Sequence, residues 1–580
     1  MPLLAAGATA CVGVLGDFSV SSSANDGGPG DDAATIEASS EASSEGSAPD
    51  GGGGDAGQAD FSLAVATPYV GVVRGASGSV GVTLAPSGGF GGAVAIAVSG
   101  LPSGITADPL TIAAGQTSGT LTLHAPAGAT LGDGPQLTLT GTSGALTHTA
   151  TVGLLVQDAP GALDSTFGQQ GLLSGGYLFR FLGGMTLQPD GKLLVCGTYD
   201  AGPWVAFVAR FNADGSPDAT FGGASADGGP SGPGSVTIPA PVSQAPAGCG
   251  AVTVLPSGDI AITGAAGDAN QNTVLWVVRL KSNGTLDATF GNDGVAEVSA
   301  MAVQPPSNGA SLAIDSGGNL VVAGSYGPFH NPLLARFTPS GQLDTSFGSS
   351  GVAFGSYPGA NGFDGLGLAS NGDILASLIL SPFGAQRFTP GGVLDSTFYS
   401  SGTATLAVGS SGSGANAMTL QPDGSIVLAG SSTVSGADGS SSSAIAVVRL
   451  DSSGHADSTF GTSGATTASL GAGASAASGV ALEPDGRIVV AGPIQLPSRS
   501  AFGVARFTVE GALDTSFAGG QGFVSTDFGS SYTSASAVGV MADGRIVAVG
   551  ATGGRICFNA PDGGQRPCNP LSLNVARYWP

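Results

Sequence analysis

Val208-Ala-Arg-Phe-Asn-Ala-Asp-Gly-Ser-Pro-Asp-Ala-Thr-Phe-Gly222 is the stretch whose reading decides the fold. It holds an apolar strand ending in Arg210, a turn at Gly215, and a box running from Asp218 to Phe221. Edited copies follow one another down the C-terminal three-quarters of the chain. The repeat arginines are Arg210, Arg279, Arg336, Arg387, Arg449, Arg506 and Arg577. The box aspartates are Asp164, Asp218, Asp287, Asp344, Asp395, Asp457 and Asp514. Each has a phenylalanine three residues on: Phe167, Phe221, Phe290, Phe347, Phe398, Phe460 and Phe517.

Every repeat Arg but the last precedes an Asp by eight residues, with a Gly five after the Arg. A strand, a Gly turn and a return strand bring Arg and Asp face to face, and a guanidinium–carboxylate pair is geometrically specific. A residue present in every copy is read as a clamp that each unit needs. The alternative is a ring of seven ligands lining a channel. Arg577 has no Asp after it and Asp164 no Arg before it, so these two are expected to pair with each other.

Ahead of each Arg strand stands an Asx-Gly hairpin, as in Leu187-Gln-Pro-Asp-Gly-Lys-Leu-Leu-Val-Cys-Gly197 and Leu482-Glu-Pro-Asp-Gly-Arg-Ile-Val-Val-Ala-Gly492. Its Gly supplies the positive φ of a tight hairpin. The box aspartates recur every 51 to 69 residues, too long for a solenoid rung and suited to a propeller blade of four short strands. The repeats open on an orphan Phe box and finish on an orphan Arg strand, so the first strand is expected to close the ring against the last. Together these boxes resemble the delta-60 repeat family of bacterial secreted proteins over 160–580. Tyr399 and Ala518 depart from the box's final Gly, and Pro217 and Ala456 from its Leu.

The segment 61–157 has short alternating runs such as Ser79-Val-Gly-Val-Thr-Leu84 and Gln136-Leu-Thr-Leu-Thr-Gly141, about seven strands in all. They predict a β-sandwich. Val98-Ser-Gly-Leu-Pro-Ser-Gly-Ile-Thr106 resembles bacterial immunoglobulin-like surface domains, which implies a spacer or adhesive module. The fold expected is all-β: a seven-bladed β-propeller over 160–580, an immunoglobulin-like sandwich over 61–157, and a disordered N-terminal tether. That tether, 21–60, is rich in Ser, Gly, Asp and Glu and too poor in apolar residues to repay the entropy of ordering.

The segment 1–20 reads as a signal. Its Ala8-Thr9-Ala10-Cys11 resembles the end of a bacterial lipoprotein signal, which implies lipidation of Cys11; a plain secretory remnant is the alternative. It lacks a basic n-region and has Ala8 where Leu is usual. Cys557 and Cys568 flank a short turn and are candidates for a local disulfide. Cys196 and Cys249 either form a longer-range bridge or stay two buried thiols.

The chain of 580 residues carries a net charge of −24, which argues against nucleic acid and against docking on an anionic membrane. Membrane contact is expected only through the lipid. The histidines His124, His148, His330 and His455 match no repeat position, no catalytic residue is singled out, and no metal or cofactor is expected. The Asp residues before the hairpin glycines are read as turn chemistry rather than as calcium ligands. Trp204, Trp276 and Trp579 are either blade core or sugar platforms. The connections at 222–250, 267–272, 431–443 and 552–570 vary from copy to copy. They mark one face as the candidate binding surface. The expectation is a monomeric, non-catalytic binding or adhesion protein, secreted or lipid-anchored at the bacterial surface, with a protein or glycan ligand. The alternative is a secreted polysaccharide hydrolase or lyase with its site in the channel.

Overall fold

The computed structural model describes residues 58–179, 181–200, 204–223, 234–238, 247–267, 273–298, 307–409, 411–435, 441–471, 473–530, 532–553 and 571–580. Within them the chain is all-β, with one short helical turn at Ala518–Gly520. No helix among the described residues is long and apolar enough to cross a membrane. Cys11, Cys557, Cys568 and the tether up to 57 lie outside the described residues. The tether was expected to reach 60, but the first strand already begins at Asp60, held by pairing with Ser87 and by His148 Nε2 at 2.7 Å.

The N-terminal unit is two sheets closed on one core. One holds Asp60–Val65, Ser77–Ser87, Ser118–His124 and Thr106–Ala107. The other holds Tyr69–Val73, Leu146–Gln157, Gly132–Ser143, Val94–Ser99 and Leu110–Ile112. Alternation in sequence becomes alternation in burial: Val80, Val82 and Leu84 from one sheet meet Leu137, Leu139 and Val152 from the other. Each such side chain stabilises the sandwich by about 1.5–3 kcal/mol. The nine strands exceed the expected seven. Tyr69–Val73 is an edge strand running parallel to Leu146–Gln157, with Gly71 at its centre blurring its alternation.

The repeats give four-stranded antiparallel sheets. The first runs Phe181–Leu187, Leu193–Asp200, Trp204–Phe211, Ser235–Ile238. Others follow over 247–297, 307–354, 363–406, 411–468 and 479–526. The last joins distant parts of the chain: Thr533–Val540, Ile546–Thr552 and Leu571–Tyr578 are completed by Leu172–Phe179, which pairs antiparallel with Leu172 opposite Ala576. The first strand of each sheet packs on the first strand of the next, and Phe181–Leu187 packs on Thr533–Val540.

This stacking explains why the second strands read as continuous apolar runs rather than alternating ones. Each sheet has a neighbour on both faces. Leu193 and Val195 face Val547, Val549 and Val575, while Leu194 and Cys196 face Ile260, Ile262 and Trp276. A polar residue at either register would be buried. The Asx-Gly turns have the expected left-handed glycines, from φ 77° at Gly318 to 89° at Gly544.

Candidate functional site

The repeat residues converge on one three-part arrangement. Nε of each Arg donates to Oδ2 of its Asp: Arg210–Asp218 at 2.8 Å, Arg279–Asp287 at 2.6 Å and Arg336–Asp344 at 2.8 Å. Arg387–Asp395 follows at 2.8 Å, Arg449–Asp457 at 2.7 Å and Arg506–Asp514 at 2.7 Å. Arg577 and Asp164, 413 residues apart, make the same bond at 2.6 Å. Each guanidinium also lies over the ring of its own box phenylalanine, from 4.5 Å at Phe221 to 4.9 Å at Phe398, with Phe167 under Arg577 at 4.7 Å. The other carboxylate oxygen caps its own turn: Asp218 Oδ1 accepts from the backbone N–H and hydroxyl of Thr220. That explains why Thr or Ser stands two after every box Asp.

These contacts set the electrostatics. At Asp344 and Asp395 the Ser346 and Thr397 hydroxyls are the largest influence and hold the carboxyls below the ordinary value. At Asp218, Asp287, Asp457 and Asp514 burial pulls upward but is outweighed. The opposing groups are the hydroxyl and N–H two residues on and the Arg, with Lys281 added at Asp287.

The clamp also ties one sheet to the next. Nη1 of Arg210 donates to Ser282 O, Arg279 to Pro339 O, Arg336 to Pro390 O, Arg387 to Ser452 O, Arg449 to Val509 O and Arg577 to Ala213 O. A second rung runs through the residue after each Phe: Gly168 N–H to Asp214 O, Gly222 to Asn283 and Tyr399 to Ser453, among others. At Tyr399 and Ala518 the sequence departs from Gly, yet both hold the same left-handed backbone, φ 45° and 57°, because the rung requires it. Ala518 N–H closes the series on Pro160 O.

The seventh turn glycine, which a count forward from Arg577 misses, is Gly161, three before Asp164. Its φ of 83° matches the 85° of Gly215, and a Cβ there would meet Phe517 as one on Gly215 would meet Phe167. Gly161 N–H bonds Trp579 O and Trp579 N–H bonds Ala162 O, so the turn is assembled from two distant segments.

One clamp breaks the rule. Arg506 Nη1 turns instead to Glu483 Oε1, at 3.3 Å. Burial pushes the Glu483 pKa up, against the pull of Arg506 and Arg487. Glu483 stands where the other copies have Gln188, Leu255, Asp315, Ala369, Gln421 and Met541. The sandwich docks here. Arg545 Nη2 reaches Asp133 at 2.9 Å while its guanidinium also pairs with Asp543, and Gln157 Nε2 reaches Pro580 O at 3.5 Å. A cleft of about 290 Å³ opens between the two units, bordered by Tyr69, Gln157, Glu483, Asp485, Arg487 and Arg506. Nothing in the repeat pattern pointed to it.

Cys196 and Cys249 form a disulfide with Cα atoms 6.1 Å apart. It links the second strand of one sheet to the first strand of the next. Trp276 and Trp579 are fully buried core; Trp204 begins the strand Trp204–Phe211. Three histidines lie beside carboxylates: His148 by Asp60, His124 by Asp108 at 3.0 Å and His455 by Asp451 at 3.9 Å. His330 sits in a turn at φ 53°. The described residues hold no cluster of three or more metal-ligating side chains. On the face away from the clamps, Phe329 is 77% exposed at a turn tip, and the Phe354 and Tyr326 rings meet at a tilt with centroids 4.9 Å apart. Most of the variable connections on that face lie outside the described residues.

Residues 188–221, 255–290, 318–347, 421–460 and 483–517 match the family model described as "Domain of unknown function (DUF5122) beta-propeller". The repeats are β-propeller repeats. A comparison with curated proteins finds no match. Solved structures similar to the chain include a PQQ-bound aldose sugar dehydrogenase from Streptomyces coelicolor. It is 13% identical, covers 72% of this chain and all of its own (100%), and has a TM-score of 0.31. A glucose dehydrogenase is 13% identical, covering 69% of this chain and 97% of its own, at 0.32. A Bacteroides caccae protein of unknown function is 12% identical, covering 47% and 79%, at 0.28. At these values they carry no argument about activity.

Proposed function

We propose that this is a non-catalytic binding or adhesion protein. In this reading 160–580 is a seven-bladed propeller of the delta-60 type, carried on an immunoglobulin-like spacer and held at a bacterial surface by a lipid on Cys11. The face of variable connections meets a protein or glycan. The observation that carries the reading is the division of labour between the two faces. The repeated Arg, Asp and Phe side chains are spent on clamps at one end, where the sandwich also docks and Tyr399 is 48% exposed, whereas the other end carries Phe329, 77% exposed, and the Tyr326–Phe354 ring pair. Binding residues concentrate on loops held by a rigid scaffold, and exposed aromatic rings there support recognition.

The alternative, a polysaccharide hydrolase or lyase, needs two carboxylates about 5–10 Å apart. The first strands, which face the axis in this reading, carry a single carboxylate among their described residues, Asp364. The test is a screen of the full chain against immobilised glycans and surface-protein extracts. Saturable binding weakened by Phe329→Ala with Phe354→Ala, at unchanged melting temperature, is expected. Release of shortened polysaccharide during the screen would overturn the reading.

A further inference from the structure

The cleft between sandwich and repeats lies at the one clamp whose outward bond is redirected. Three of its polar atoms are buried without a hydrogen-bond partner: Gln157 Oε1, Glu483 Oε2 and Arg487 Nε. Gln157 is 6% exposed and the Glu483 side chain 2%. Arg487 Nε lies 2.7 Å from Glu483 Oε2 and 2.8 Å from Asp485 Oδ2, so these groups are ion-paired although off the hydrogen-bond direction, and Gln157 Oε1 is the atom left with no partner of either kind. Gly71 makes room for the Gln157 amide, since a Cβ there would stand 2.8 Å from Oε1. Tyr69 borders the same space and lies across Gly153, where a Cβ would come within 2.5 Å of its ring.

We propose that this cleft is a binding site for a neutral saccharide, one or two pyranose rings in size. Its occupant must donate to Gln157 Oε1 and, at the rim, donate to Asp485 and accept from Arg487, whose side chains are part-exposed. Adjacent hydroxyls on a sugar ring do both at once, and the apolar face of the ring suits Tyr69 and the neighbouring prolines Pro68 and Pro484. A metal cation is disfavoured because two guanidinium groups, of Arg487 and Arg506, already flank the Glu483 carboxylate. An anion is disfavoured by the three carboxylates of the lining, Glu483, Asp485 and Asp543. The volume, about 290 Å³, sits at the small end of ligand pockets, about 300–1,000 Å³. The site is distinct from the loop face, and its ligand is bound where the two units meet, so occupation also stiffens their junction.

The test titrates the full chain with methyl β-D-glucoside, methyl β-D-galactoside, N-acetylglucosamine and cellobiose, read by saturation-transfer NMR and calorimetry. At least one probe should saturate, and both Gln157→Leu and Tyr69→Ala should weaken it about tenfold or more, the loss of one or two buried hydrogen bonds or an aromatic contact. Phe329→Ala should leave it unchanged. Hydrogen exchange of the unmodified chain supplies a readout independent of variant folding: the probe should slow exchange at 69–73 and 485–487. Absence of saturation by all four probes would overturn the proposal. So would binding untouched by Gln157→Leu and Tyr69→Ala, or binding lost through Phe329→Ala; the last would support the loop face instead.

Discussion

Replacing Arg336 by Lys keeps the charge and removes the geometry, so it separates a clamp from a mere ion pair. Arg336 Nε bonds Asp344 at 2.8 Å, Nη1 bonds Pro390 O at 2.6 Å in the next sheet, and the guanidinium lies 4.7 Å over Phe347. A lysine ammonium can stay near Asp344 but cannot also reach Pro390 or stack flat on the ring. Losing one charge-assisted hydrogen bond costs about 1.5–3 kcal/mol. Losing the cation–π contact costs about 0.5–1 kcal/mol more. With both side chains a little exposed, a total of about 2–3 kcal/mol is expected. Arg336→Met should cost more, about 3–5 kcal/mol, because Asp344, its side chain only 16% exposed, then loses its cation. Urea unfolding followed by tryptophan fluorescence reads the repeats alone, since all three tryptophans lie there. Arg336→Lys within about 0.5 kcal/mol of the parent, the ordinary spread of surface changes, would refute the clamp. So would Arg336→Met costing no more than Arg336→Lys.

Other outcomes follow from the same geometry. Reducing the Cys196–Cys249 bridge, or changing both to Ala, frees a loop spanning 53 residues; about 4 kcal/mol of stability should go by loop entropy, measured as a lower urea midpoint, and an unchanged midpoint would contradict it. The six clamp aspartates with depressed pKa values contribute stability above the ordinary carboxyl range, and it is lost as pH falls through their folded values. The melting temperature should therefore hold from neutrality to about pH 5 and fall steeply below about pH 4; Asp344→Asn should shallow that fall, and an identical slope would count against it. Asp133→Ala should cost under about 1 kcal/mol, because its bond to Arg545 is partly exposed, yet should quicken hydrogen exchange where the sandwich docks; unchanged exchange would deny Asp133 a part in docking.

The repeats were legible because a propeller-type repeat must present the same clamp each time. Arg, Gly, Asp and Phe at fixed offsets survive in every copy, and each structural need leaves a residue type behind. Gly161 escaped because its turn is split between distant segments, and spacing from Arg577 cannot be counted across that break; Gly-x-x-Asp counted backward from Asp164 finds it. The glycine inside most second strands was visible but unexplained. A Cβ on Gly430 would stand 1.9 Å from Gly414 O, beside the bulge in the strand Ser411–Leu420. The cleft had no signal at all. Glu483 and Arg487 look like ordinary hairpin variants, Gln157 like the end of a strand, and only the docking of two units brings them together. Periodicity reveals what repeats; a site made once, between unlike units, leaves no period.

Closure of the ring through Arg577 and Asp164 is tested most directly by hydrogen exchange of the full chain under native conditions. Amides of Leu172–Phe179 and Leu571–Tyr578 should exchange only with the whole set of repeats, at the same free energy as those of Ile260–Gly267. Exchange of these two strands well ahead of the others would mean that they fray as an open edge and that the ring is not latched there.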